Sequence, residues 1–236
     1  INMHFSLEPQ IYTTPAFDVK HAAYEFTSLE ELMSFFMKID AASGTMHLYS
    51  AGTTPIYKYD LPLALFTTSE IPANATLAEA AKIVKGNGKL NVWYQAQIHP
   101  NEPAAGEGAL VMIANFVNDP AYKALLDKVN IVIVPRINPD GSYLFSRATY
   151  DGFDMNRDHM SLKAAELAQL HTAYRLFMSE VVIDTHEFTF YGAYNDDWTS
   201  AGEYMENADD LETTPATSLN NNPAVTKIGL DMAKRA

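Results

Sequence analysis

Hydrophobic residues recur with two different periods in the first third of the chain. Apolar positions at helical spacing follow Ser28 in LEELMSFFMKI and Thr76 in LAEAAKIVKG, and Ser28 with Glu31 forms a capping-box pattern that predicts a helix start. Between these helices, MHLYS and PIYKYDLPLALFTT have the composition of strands, and AGTTP is the turn that would pair them. Residues 1–26 show no period, and we interpret them as a mostly extended arm.

The following part of the chain alternates between strand-like and helix-like segments. KLNVWYQAQI, VNIVIVPRI and EVVIDTHEF predict buried strands, and PAAGEGALVMIANFVN, AYKALLDK and SLKAAELAQLHTAYRLFMS predict helices. NPDG predicts a turn, and RATYDGFDMNRDHM predicts a loop. This alternation indicates an α/β fold. We therefore divide the chain into the arm at 1–26 and one domain at 27–236, which would end in a long polar surface loop and a further helix.

Composition and charge narrow the class of protein. Hydrophobic residues make up 47% of the 236 residues and charged residues 19%, which is an ordinary globular balance. The formal net charge of −13 disfavours nucleic acid and anionic membranes as partners. No apolar run approaches the roughly 18 residues of a membrane span. Because the chain has no cysteine, any zinc ion must be bound by His, Asp or Glu.

Polar side chains follow each of the three predicted buried strands. His99 and Glu102 follow the first strand, Arg136 and Asn138 the second, and His186 the third. In open α/β sheets, ligands bind outside the carboxyl ends of the strands. We therefore expect these side chains to share one site.

A second histidine turns the pair of His99 and Glu102 into a predicted zinc site. His-x-x-Glu alone occurs often by chance, but here Pro-Asn-Glu-Pro would hold both side chains on a rigid loop after a strand. Two histidines and one glutamate leave a fourth position open for water, whose pKa zinc would lower. Glu187 competes with His186 as the third ligand. Since neighbouring strand residues face opposite ways, only one of them can enter the site, and we assign His186.

Charged side chains also occupy the segment between the second and third predicted strands. Arg147 and Arg157 lie there, and a planar guanidinium can bind a carboxylate through two hydrogen bonds or stabilise an oxyanion. Asp154 could accept a hydrogen bond from a ligand histidine and so fix its tautomer. The remaining histidines are interpreted as structural; they are His4, His21, His47, His159 and His171.

Together these residues resemble the zinc metallocarboxypeptidases, the carboxypeptidase A and B superfamily. The resemblance is carried by HPNE, by NPDG after a buried strand, by Arg147 in RATYDGFDMNRD with its Asp-x-Asn-Arg motif, and by IDTHE, in the order of the family. The fold that it implies is a mixed, largely parallel central sheet flanked by helices. The short, cysteine-free connection between Arg147 and Asn156 indicates a bacterial or otherwise divergent subgroup.

The resemblance implies a metal site with one Zn²⁺ ion. His99, Glu102 and His186 would bind the ion, and Asp154 would support one of the zinc histidines.

It also implies how a substrate is held. Arg147 would polarise the scissile carbonyl, and Asn156 with Arg157 would clamp the terminal carboxylate of a peptide. The proton-shuttling glutamate of the family follows the last zinc histidine at a greater distance than this chain extends, so we expect the general base beyond Ala236. The acidic residues of the polar loop receive no role.

The leading hypothesis is a zinc-dependent metallocarboxypeptidase that hydrolyses C-terminal residues from peptides. One alternative is a zinc-dependent deacylase of N-acyl amino acids, similar to desuccinylases and aspartoacylases. Another is a non-catalytic domain that retains the fold. The long N-terminal region and the complete Asp-x-Asn-Arg motif favour the peptidase. The chain opens at Ile1 without Met, which together with peptidase chemistry favours a secreted or extracytoplasmic location.

Overall fold

The computed structural model describes residues 12–15 and 26–186. The strands in this part of the chain are β1 (Met46–Thr53), β2 (Asp60–Phe66), β3 (Leu90–Ala96), β4 (Val129–Val134) and β5 (Val181–Thr185). The helices are α1 (Leu29–Ala42), α2 (Leu77–Gly86), α3 (Pro103–Asn118), α4 (Pro120–Leu125), α5 (Pro139–Leu144) and α6 (Ala165–Phe177), with one 3₁₀ turn at Met155–Arg157. The five strands form one sheet in the order β1-β2-β4-β3-β5.

Strand direction places the candidate residues on one edge of this sheet. β2 pairs antiparallel with both β1 and β4, whereas β3 pairs parallel with both β4 and β5. Among the described strands β2 therefore runs against the other four, and the predicted mixed, largely parallel sheet is confirmed. The carboxyl ends of β3, β4 and β5 meet at the same edge.

Helices cover both faces of the sheet, and side chains along β4 alternate between them. Val132 packs in one cluster with Trp93 and with apolar residues of α2 and α6. Ile131 and Ile133 pack in a second cluster with apolar residues of α1 and α3. This two-residue period is what a central strand needs when it is covered on both sides.

Capping boxes begin both α1 and α2; the sequence predicts the first as a capping box and the second only as a helix start. The Ser28 hydroxyl accepts the Glu31 N–H at 3.1 Å, and the Glu31 carboxylate accepts the Ser28 N–H at 2.8 Å. In the same way, the Thr76 hydroxyl accepts the Glu79 N–H at 3.3 Å, and the Glu79 carboxylate accepts the Thr76 N–H at 2.8 Å. Each box satisfies N–H groups that the first helical turn leaves without a partner.

The connection between β1 and β2 begins later than the predicted AGTTP turn. β1 continues through Thr53, with an irregularity in its pairing after Ser50, and residues 54–59 form the connection. The Thr54 N–H donates to the carbonyl of Tyr59 at 2.8 Å and closes it. Ala51 is buried in the core, so this part of the segment stays in the strand.

NPDG begins the short helix α5 instead of forming an isolated turn. The side chain of Asn138 accepts the N–H of Gly141 at 2.9 Å, and Pro139 occupies the first helical position, where its missing N–H costs nothing.

The long helix α6 begins at Ala165, later than the predicted start at Ser161. The carboxylate of Asp158 accepts the N–H of Ala164 at 2.7 Å, and this bond holds the preceding residues in turns.

β5 forms where the sequence predicts it but is less buried than expected. It lies at the edge of the described sheet, where its one strand neighbour is β3, and Val182 is 46% exposed. A strand with one neighbour has less of its surface covered than β4 has. The prediction that this strand is buried is therefore wrong.

Among the helices in the described residues, none combines the length and the hydrophobicity that crossing a bilayer requires. Residues 1–11, 16–25 and 187–236 lie outside the described part, and so do the predicted polar loop and final helix. The division of the chain into 1–26 and 27–236 stays a prediction.

Candidate metal centre

The three predicted metal ligands converge at the carboxyl edge of the sheet. His99 lies in the connection after β3, Glu102 immediately precedes α3, and His186 directly follows β5. One possible ligand atom from each residue lies within 4.8 Å of the others. This spacing suits an ion that bonds each ligand at about 2 Å.

The carboxylate of Glu102 stands between the two imidazoles. Its Oε1 lies 2.8 Å from Nδ1 of His99, and its Oε2 lies 2.9 Å from Nδ1 of His186. The two ring centroids are 4.9 Å apart. Both Nδ1 atoms therefore point to the same small region, as coordination of a single ion requires.

The outer nitrogen of each histidine faces an aspartate. Nε2 of His99 lies 3.1 Å from Oδ1 of Asp154, and Nε2 of His186 lies 3.1 Å from Oδ2 of Asp184. A ring N–H that donates to a carboxylate fixes the tautomer and leaves the lone pair of the other nitrogen for a metal. The donor set is then two Nδ1 atoms and one carboxylate, which fits zinc.

Asp184 is a further candidate site residue, to which no role was assigned from the sequence. Residues two apart on a strand share a face, so Asp184 on β5 lies on the same side as His186. This period was the signal that could have identified it. The competing ligand candidate, Glu187, lies outside the described residues.

His99, Glu102 and His186 form a cluster whose charges shift the pKa values of His186 and of the neighbouring Asp154. Burial works to lower the pKa of His186, but hydrogen bonds to Asp184 and Glu102 outweigh burial and raise that pKa to about 9. For Asp154, partial burial opposes ionisation, yet the hydrogen bond from His99 and the charge of Arg147 lower its pKa. A metal ion that binds His186 at neutral pH must therefore displace a proton.

Arg147 reaches the cluster from the loop after α5. Its Nη1 donates to Oε1 of Glu102 at 3.2 Å, and its Nε donates to Oδ2 of Asp154 at 3.2 Å. The side chain is 46% exposed, so the guanidinium is also open to a molecule that approaches from solvent.

Asn156 and Arg157 lie beside the cluster on the 3₁₀ turn that Asp154 begins. The carboxylate of Asp154 accepts the N–H of Asn156 at 2.9 Å, so one turn positions Asp154 next to His99 and carries the other two residues. Arg157 is exposed, and its Nη1 donates to the carbonyl of Asn156 at 3.1 Å. Within the described residues, neither side chain forms a hydrogen bond with the three ligands.

Arg136 and Asn138 do not join the ligand cluster, contrary to the expectation that all the strand-end residues share one site. The Arg136 side chain is buried and donates to Gln97 and to the carbonyl of Thr27. Asn138 caps α5. Hydrogen bonds to other groups hold the side chains of Arg136 and Asn138 away from the three candidate ligands.

The histidines that were interpreted as structural contact none of the three ligands where they are described. Nδ1 of His159 lies 2.9 Å from Nε2 of His171, and His47 lies on β1. Their structural role stays a prediction, and His4 and His21 lie outside the described residues.

A family model described as zinc carboxypeptidase matches residues 29–175, which is more than half of the chain. The chain belongs to the zinc carboxypeptidase family. The matched range includes His99, Glu102, Arg147 and the Asp-x-Asn-Arg motif, but it ends before His186. The assignment of His186 as the third candidate ligand of this zinc carboxypeptidase chain therefore rests on its distance from His99 and Glu102.

Curated relatives with similar sequences are named carboxypeptidases. Carboxypeptidase 2 of Trichophyton rubrum is 37% identical over 102 residues, which are 43% of this chain and 19% of that protein. The matched segment thus spans about a fifth of the curated relative.

Solved structures of metallo-carboxypeptidases share the fold. One from Burkholderia cenocepacia superposes with a TM-score of 0.58 at 21% identity and covers 83% of this chain and 51% of its own. One from Pseudomonas aeruginosa superposes with a TM-score of 0.56 at 20% identity and covers 81% and 50%.

Proposed function

We propose that the protein is a zinc-dependent metallocarboxypeptidase that removes C-terminal residues from peptides. The observation that carries the proposal is the cluster of His99, Glu102 and His186, whose ligand atoms lie within 4.8 Å of one another. The two histidines would contribute Nδ1 and the glutamate its carboxylate. Bound zinc would lower the pKa of a water molecule and polarise a substrate carbonyl.

Arg147 is the residue that we assign to the developing oxyanion. Its guanidinium contacts Glu102 and Asp154 from the exposed side of the cluster. A cation at this position would donate to the carbonyl oxygen of the last peptide bond and stabilise the negative charge that develops there. Among the described residues we assign no general base.

Asn156 and Arg157 are assigned to the terminal carboxylate of the substrate. They follow Asp154 on the same turn, and the exposed guanidinium of Arg157 has donors that can reach a ligand. The structural neighbour from Pseudomonas aeruginosa was solved in complex with (2-guanidinoethylmercapto)succinic acid, a compound with carboxylate groups. A substrate with a free C-terminus would place its carboxylate against Asn156 and Arg157, beside His99, Glu102 and His186.

The clamp distinguishes this proposal from a general zinc hydrolase. Arg157→Ala should lower kcat/KM for a peptide with a free C-terminal carboxylate about 10- to 100-fold, since a charge-assisted hydrogen bond contributes roughly 1.5–3 kcal/mol. The same change should leave the slow hydrolysis of the amidated peptide unchanged. Arg175→Ala removes an exposed arginine from α6 and serves as the matched control.

If Arg157→Ala reduces activity on both peptides equally, the clamp assignment is wrong. If the wild-type protein cleaves N-acyl amino acids but no peptide, the deacylase is the correct function. The peptidase activity also favours a location outside the cytoplasm, and fractionation of producing cells would test that location.

A further inference from the structure

Gln97 has an unusual backbone conformation two residues before the first metal ligand. Its φ angle is 51°, in the left-handed region, and the residue is buried. Residues other than glycine seldom adopt this conformation, and glutamine is not among those that tolerate it best. Such strain persists where surrounding contacts hold the residue in place, and it concentrates at functional sites.

The contacts of the Gln97 side chain lead directly into the loop between the ligands. Its Nε2 donates to the carbonyl of Pro100 at 3.2 Å, and its Oε1 accepts Nε of Arg136 at 2.8 Å. The amide occupies space left by Gly106 on α3, where a Cβ atom would overlap Oε1. The side chain therefore connects the loop that carries His99 and Glu102 to a buried guanidinium.

Arg136 is fixed in turn by the start of the domain. Its Nη2 donates to the carbonyl of Thr27 at 2.7 Å. The N–H and the hydroxyl of Thr27 each donate to a carboxylate oxygen of Glu107 at 2.8 Å. Glu107 lies on α3, the helix that begins directly after Glu102. The hydrogen bonds thus form a closed path from the ligand loop through Arg136 and Thr27 back to the helix behind that loop.

The guanidinium of Arg136, at the centre of this path, carries a permanent positive charge. Burial lowers the pKa of Arg136 to about 10, against the opposing charge of Glu107, so the guanidinium stays protonated at neutral pH. In the described part of the chain no carboxylate lies within ion-pair distance of it. Its contacts with Gln97 and Thr27 are therefore directional hydrogen bonds, for which the planar fork of arginine is suited.

We propose that Gln97 and Arg136 are positioning residues, which hold the loop between His99 and Glu102 so that both side chains face one ion. The inference rests on the proposed zinc site. Neither residue touches the ligand atoms; Gln97 restrains the backbone at Pro100, and Arg136 restrains the amide of Gln97.

The first test compares wild type with Gln97→Gly in the full chain. Glycine adopts a φ of 51° without strain, so the variant removes the amide and keeps the backbone conformation. The zinc dissociation constant, measured by competition with a chromogenic chelator, should rise about 10- to 100-fold, as is typical when a group behind a ligand is lost. The loss of the amide also leaves Nε of Arg136 and the Pro100 carbonyl without this partner, so the Tm of the metal-free protein should fall as well, and the zinc dissociation constant is the measurement that decides.

A purely structural role predicts a lower Tm alone, with no change in zinc affinity. A lower Tm of metal-free Gln97→Gly with a zinc dissociation constant within about twofold of wild type would overturn the proposal. If wild type itself binds no zinc, the proposed function fails together with this inference. If wild type binds zinc and the variant binds it equally well, only the inference fails.

A second variant tests the same contact from the opposite side. Gly106→Ala in the wild-type background would displace the Gln97 amide and should weaken zinc binding. In the Gln97→Gly background no amide remains to be displaced, so the same alanine should have little further effect. Additive losses of zinc affinity in the double variant would contradict a shared mechanism.

Arg136→Lys tests the other member of the path. Lysine keeps the positive charge but cannot donate to Gln97 and Thr27 with the geometry of the guanidinium fork. Zinc affinity should fall as it does in Gln97→Gly. Wild-type affinity in Arg136→Lys would remove Arg136 from the proposal.

Discussion

Nδ1 of His186 lies 2.9 Å from Oε2 of Glu102, although 84 residues separate them in the chain. The parallel pairing of β3 with β5 produces this contact, because it brings the residues after both strands to the same edge. The other carboxylate oxygen of Glu102 lies 2.8 Å from His99. Glu102 therefore contacts both histidines, one with each carboxylate oxygen.

Glu102→Ala should abolish stoichiometric zinc binding. The substitution removes the one anionic member of the ligand set and leaves two imidazoles, which hold zinc more weakly. Zinc content after dialysis, measured by atomic emission, checks this prediction. Glu70→Ala, which removes an exposed glutamate after β2, is the control and should retain one zinc ion per chain. A full zinc content in Glu102→Ala would show that the metal lies elsewhere.

Asp184→Asn and Asp154→Asn should each weaken zinc binding about 10- to 100-fold, because each removes the carboxylate that fixes the tautomer of a ligand histidine. Each aspartate lies 3.1 Å from the outer nitrogen of its histidine. Chelator competition gives the dissociation constants, and Asp127→Asn at an exposed position is the control. Equal affinities in all four proteins would mean that neither aspartate acts through its histidine.

Arg147→Ala should lower kcat/KM on peptides by about 10²- to 10³-fold, the usual loss when one donor to an oxyanion is removed. The zinc content should stay at the wild-type level, since Arg147 contacts Glu102 from the exposed side and is not a ligand. Arg147→Lys keeps a cation and should recover part of the activity. If zinc is lost from Arg147→Ala, the arginine acts on the metal site and not on the substrate.

Glu166 should make the stability of the protein depend on pH. Its side chain is buried, its Oε1 has no hydrogen-bond partner, and burial together with the charges of Asp140 and Asp151 raises its pKa above 4.5. A carboxyl whose pKa is raised by folding stabilises the fold while it is protonated. That contribution is lost as the pH rises from the unfolded pKa through the raised value.

Glu166→Gln should therefore raise the Tm near neutral pH and leave the Tm close to its wild-type value at about pH 4, where the wild-type carboxyl is already protonated. Thermal unfolding of the metal-free proteins at both pH values measures the difference. A shift of the same size at both would attribute the effect to packing and not to charge.

The sheet edge made most of the candidate site predictable from the sequence. Strands that alternate with helices along the chain indicate parallel pairing, and the carboxyl ends of parallel strands meet at one edge, so the sequence alone brings His99 and His186 together. Arg136 could not be excluded in the same way. It follows β4 just as His99 follows β3, but its direction depends on the contact of the Ile137 N–H with the carbonyl of Ala96 at 3.2 Å and on the buried amide of Gln97.

Two of the element boundaries that were wrong depend on single side chains. Asn138 and Asp158 accept backbone N–H groups, and these local bonds compete with the expected turn and helix. A hydrophobic period does not contain that information. Asp184 was not predicted for a different reason. Its position on the same face as His186 follows from the two-residue period of a strand only after His186 has been assigned to the site.

Thr27 precedes the first helix, yet it bonds both Arg136 and Glu107. A shortened protein that starts at Ser28 would retain the first capping box, every described strand and all three ligands. It would nevertheless lose the carbonyl that receives Arg136 and the two donors that bind Glu107. A domain boundary drawn from the first helix alone would therefore fall one residue too late, because it would remove hydrogen bonds behind the loop of His99 and Glu102 while leaving both of those residues in place.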